Sequence, residues 1–79
     1  HLICITFSAE GAGGKAGYTY KMVVYNKTTK TWGLVQNFNA NNKITWTAGS
    51  AGDRDFYIDV KDADGKVVRS SVMNVKTSN

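Results

Sequence analysis

The chain has 79 residues, 42% of them hydrophobic and 20% charged, with a formal net charge of +4, no proline and a single cysteine. That length bounds it to one domain, 1–79. The composition excludes intrinsic disorder, and no apolar run approaches the ~18 residues a membrane span requires. The basic excess is lysine scattered along the chain, while five of the six acids fall between Asp53 and Asp64, so the clustered, aromatic-interleaved surface of a nucleic-acid binder is not expected.

Ile3, Ile5 and Phe7 alternate with Cys4 and Thr6 and predict a first strand. With strand character this early, and neither an initiator Met nor a basic signal-peptide start, the stretch reads as part of a larger multidomain protein. Cys4 has no internal disulfide partner and cannot hold a metal alone, so a small core or edge position is expected for it. Gly11-Ala-Gly-Gly-Lys-Ala-Gly17 invites comparison with a phosphate loop. The required glycine five places before Gly14 is Ala9, the Ser or Thr after Lys15 is Ala16, and a strand follows instead of a helix. A plain loop is the reading.

Next, Tyr18, Tyr20, Met22 and Val24 alternate with Thr19, Lys21 and Val23, and predict a second strand with those four side chains inward. Trp32 and Leu34, at alternate positions of the third run, are likewise expected inward, as are Ile44 and Trp46 in the fourth. Phe56, Ile58 and Val60 alternate with Asp55, Tyr57, Asp59 and Lys61, and a last run covers 66–76. Turn chemistry separates these segments at 11–17, 26–30, 39–42, 48–53 and 63–65. No window carries a helical apolar stripe. Short strands at this spacing predict an all-β sandwich of the immunoglobulin or fibronectin-III kind, with six strands and the first of the usual set missing.

The final hairpin can be counted. A three-residue loop, Ala63-Asp64-Gly65, ending in a left-handed glycine makes Asp62 pair with Lys66. Asp59 then lies opposite Arg69 and Tyr57 opposite Ser71 on the outer face, with Ile58 opposite Ser70 and Phe56 opposite Val72 on the inner. Asp59, Asp62 and Asp64 before Gly65 faintly suggest a calcium loop. Position one of that loop would be Val60 and position twelve Ser71, so the ligands are lacking and a turn explains these residues.

Catalysis has little material. The only His is residue 1, the only Cys is residue 4, Glu10 is the only glutamate, and the aspartates are expected along one solvated edge. No nucleophile–base or metal set assembles, so a non-enzymatic chain without cofactor is expected. Aromatics remain. Lys21 and Asp55 share a strand side with Tyr25 and Tyr57, which turns both rings outward. If their strands are neighbours, Val23, Tyr25, Tyr57, Val67, Arg69 and Met73 form an exposed interaction face.

Tyr20-Lys-Met-Val-Val-Tyr25, Thr31-Trp32, Gln36-Asn-Phe38, Ile44-Thr-Trp46 and Phe56-Tyr-Ile-Asp-Val-Lys-Asp-Ala-Asp-Gly65 occur in an order that resembles the triple-tyrosine (three-Y) domains of bacterial, especially clostridial, surface and cell-wall-associated proteins. The likeness runs from Ile3 to about Val75, with Tyr20, Trp46 and Tyr57 at matching positions. Arg54 departs from it, standing where many members carry tyrosine. The resemblance implies a fibronectin-III or immunoglobulin sandwich, a secreted or cell-surface location, and a non-catalytic role in spacing or recognition. The implied partners are neighbouring domains of the same polypeptide, cell-wall glycan or another surface protein. A carbohydrate-binding module is the alternative: exposure of Trp32 or Trp46 favours glycan stacking, and their burial favours a spacer. Assembly through an open sheet edge is a third possibility.

Overall fold

The computed structural model describes residues 4–11, 13–70 and 73–77. Among them are seven strands and no helix: β1 (Cys4–Ser8), β2 (Thr19–Asn26), β3 (Thr31–Asn39), β4 (Lys43–Thr47), β5 (Gly52–Lys61), β6 (Val67–Arg69) and β7 (Met73–Thr77). β1 and β4 form a two-stranded antiparallel sheet. The other five form a second sheet in the order β3-β2-β5, with β6 and β7 sharing the far side of β5. The architecture is a small all-β sandwich. Its seven strands exceed the expected six because the 66–76 run divides in two.

The core sits where the inner faces meet. Phe7 of β1 and Ile44 of β4 pack with Tyr20, Met22, Phe56 and Ile58 of the larger sheet, and Trp46 joins them partly buried. Phe7 and Trp46 both lie against the Phe56 ring, at centroid distances of 4.8 and 4.9 Å. Phe56 and Met22 are fully buried. These are the inward positions that alternation marks on β2, β4 and β5, because period two assigns one side of each strand to the interior.

Arg54 closes one end of this core. It is buried, and its guanidinium donates to Ser50 O, Ser50 Oγ and Thr77 Oγ1 at 3.1–3.2 Å while lying 5.0 Å from the Trp46 ring centroid. A buried cation needs hydrogen bonds on its several donors, and the 48–51 loop together with β7 supplies them.

Local turn chemistry behaves as expected. Gly65 has φ of +87°, Asp62 N donates to Lys66 O at 2.9 Å, and Asp62 Oδ1 accepts from the Asp64 and Lys66 amides. Asp59 then pairs with Arg69. The acidic residues are not an exposed edge, however. β5 is hydrogen-bonded on both sides, and Asp59 is only 7% exposed. The glycine-rich stretch is a loop: Tyr18 Oη donates to Gly13 O at 2.6 Å, and Gly11 lies so close to the Tyr18 ring that a Cβ there would collide.

Beyond Ser70 the counted register fails. Phe56 pairs with Met73, not Val72, so four steps along the last run correspond to three along β5. The two ladders on this side of β5 thus differ in register by one residue. That difference reverses the facing of β7: Met73 packs toward the core, not on the outer face as expected. The expected partners Ser71 and Val72 lie outside the described residues.

Candidate interaction site

The outer face of the five-stranded sheet is built by cross-strand register. β2 and β5 are neighbours, so Val23 sits opposite Tyr57 and Tyr25 opposite Asp55. On the other side of β2 the tight turn at 27–30 makes Asn26 pair with Thr31, which sets Tyr25 beside Trp32 and Val23 beside Leu34. In that turn the Asn26 side chain accepts from the Thr28 and Thr29 amides, and Lys30 takes a left-handed φ of +58°.

Trp32 therefore faces outward, against the expectation that it belongs to the core. It is 61% exposed, as is Leu34. The reason is register: Trp32 and Leu34 pair with Tyr25 and Val23 of β2, which face outward, and the alternate side of β3 is the inner one, with Gly33 against Val24 and Val35 packed on the core. Two apolar side chains at alternate positions mark one side of a strand without saying that this side is inward. Trp46, the second tryptophan, is core as expected.

Three rings result in one cluster. Tyr25 and Trp32 have centroids 4.8 Å apart and tilted by 48°; Trp32 and Tyr57 are 5.5 Å apart and tilted by 40°. These separations fall in the range where aromatic pairs attract beyond simple burial. Arg69 extends the cluster, with its guanidinium carbon 5.0 Å from the Tyr57 centroid. It is oriented by a forked contact in which Nε donates to Asp59 Oδ1 at 2.8 Å and an Nη donates to Oδ2 at 3.2 Å. That hydrogen bond, and then the charge of Asp59, hold the guanidinium above its ordinary pKa.

Of the expected face, the structure brings Val23, Tyr25, Tyr57 and Arg69 together. Met73 is turned inward. Val67 is 48% exposed and pairs with Lys61 farther along β5. Alternation alone does not assign Trp32 and Leu34 to this face, although counting across the turn between β2 and β3, as for the last hairpin, sets Trp32 beside Tyr25.

Polar groups border the rings. Asn74 Nδ2 donates to Asp53 Oδ1 and Asp55 Oδ1, both at 2.7 Å, and to Arg54 O at 3.3 Å. Asp55 is thus held beside its register partner Tyr25, and Asp53 beside Lys27, whose ammonium lies 3.8 Å away. Toward the other end, Phe38 lies beneath Lys61 and Lys21, at 4.1 and 5.7 Å from the ring centroid. Among the described residues no three of His, Cys, Asp and Glu come together in a way that could hold a metal ion.

No family model, curated protein or solved structure matches the chain.

Proposed function

We propose that this chain is a non-catalytic, immunoglobulin- or fibronectin-III-like accessory module of a secreted or surface-anchored bacterial protein, and that it recognises glycan through the Tyr25–Trp32–Tyr57 face. The observation that carries the reading is the exposure of Trp32, 61% of whose surface remains open while its ring is braced between two tyrosines. Exposed indole costs solubility, and a packed apolar patch on a small domain marks a contact surface. Braced rings lose little conformational entropy on binding. The apolar face of a pyranose ring stacks on such a surface, and the fixed carboxylates of Asp53 and Asp55 lie where sugar hydroxyls could donate. Spacing or protein recognition through the same face is the competing role that the resemblance to triple-tyrosine domains implies.

The deciding experiment is a heteronuclear NMR titration of the protein with solubilised peptidoglycan fragments and β-glucan oligosaccharides. Glycan recognition requires saturable shifts centred on the Trp32 indole, Tyr25 and Tyr57, abolished in Trp32→Ala. Silence at millimolar sugar removes the glycan reading and leaves spacing or protein contact.

A further inference from the structure

The smaller sheet leaves part of the larger one bare. β1 and β4 cover the inner face of β2 and β5, but Val68, on the inner face of β6 opposite Val60, is 60% exposed. Two adjoining depressions of about 380 and 280 Å³ open over this region and share Glu10, Val60 and Ser70. The first reaches Tyr18 and Val68. The second reaches Ile58 and Met73 on one side, and Ser8 and Ala9 at the end of β1 on the other. Among the described residues β1 pairs only with β4, so the main-chain groups along its other side have no strand partner.

We propose that this groove accepts an extended segment of a different polypeptide, which adds to the free edge of β1 and lays alternate apolar side chains over Val60, Val68 and Met73. Strand addition needs unpaired main chain for affinity and a surface for every second side chain for specificity; both occur here side by side. β1 is suited to the task. Its five residues pair with β4 without a register shift, and none is charged or proline, so the usual guards of an exposed edge are missing. The free edge of β3 is unsuited, because two register shifts interrupt its ladder with β2.

Charge narrows the occupant. Glu10 and Asp62 border the groove against one ammonium, Lys66, which favours a strand whose outward positions carry lysine. A second copy pairing through its own β1 does not qualify, because the apolar Ile5 and Phe7 of that strand are packed in its own core and would leave Val60 and Val68 uncovered. The segment must be one that is extended or unfolded before it binds. The groove lies on the opposite side of the larger sheet from the aromatic cluster, so the two surfaces can be tested separately.

The probe is a nine-residue peptide with valine at alternate positions and threonine or lysine between them, titrated into isotope-labelled protein. The expected result is slower amide exchange along 4–8, with shifts of the Val60 and Val68 methyls. Substituting proline at the peptide's centre abolishes both, and Val68→Asp, at an exposed position, weakens binding at least about tenfold while leaving the rest of the spectrum unchanged. The proposal is overturned by silence at millimolar peptide, by perturbation confined to β3, or by equal binding of the proline peptide or the Val68→Asp protein.

Discussion

Replacing Trp32 by alanine separates a surface tryptophan from a core one. A tryptophan side chain presents about 250 Å² at most. With 61% of Trp32 exposed, the covered part comes to about 100 Å². At ~25 cal/mol per Å² its loss costs about 2 kcal/mol, an upper bound because the unfolded chain also buries some of this surface. Phe56, with no exposed surface, would cost about 3–5 kcal/mol on truncation to alanine, since a cavity is added to the lost transfer energy. A domain of this size is stabilised by about 4–12 kcal/mol, with its small core placing it toward the lower end. Trp32→Ala should therefore stay folded, and Phe56→Ala should be partly or wholly unfolded. Urea denaturation followed by tryptophan fluorescence makes the comparison. In Trp32→Ala the only remaining indole is Trp46, which touches Phe56 and Arg54 and so reports the core directly. A loss above about 3 kcal/mol in Trp32→Ala, with a displaced Trp46 emission, would show that Trp32 helps build the interior and would refute the outward face.

Other substitutions test the supports of that face and of the core. Arg54→Lys keeps the charge but cannot reach Ser50 and Thr77 with a planar fork, and should cost about 1–3 kcal/mol in a thermal or chemical melt. In a double-mutant cycle of Asp59→Asn and Arg69→Met, the double variant should be less destabilised than the two single losses together, because each single change strands the other group; strict additivity would mean that the fork contributes nothing. Gly65→Ala meets no neighbouring atom, so the left-handed backbone alone should cost about 1 kcal/mol, read as a shift in urea midpoint with unchanged slope.

Alternation and turn chemistry were sufficient for an all-β sandwich, for the inward assignment of Tyr20, Met22, Ile44, Phe56 and Ile58, and for the pairing of Asp59 with Arg69. Each of these depends on chemistry within a strand or across one short turn, where the chain itself dictates the neighbour. Alternation alone left the facing of Trp32 and Leu34 open: it marks one side of β3, and only the pairing with β2 across the 27–30 turn places that side outward, beside Tyr25 and Val23, where neither sheet covers it. Met73 depends on a one-residue difference in register between the ladders that β6 and β7 make with β5, which leaves no mark in the pattern of residue types yet turns the side chains of β7 to the opposite face. The sequence by itself determined which residues alternate and where the chain turns. Only the tertiary structure decided which apolar sides are covered, because the sheet that covers them is assembled from strands distant in the chain.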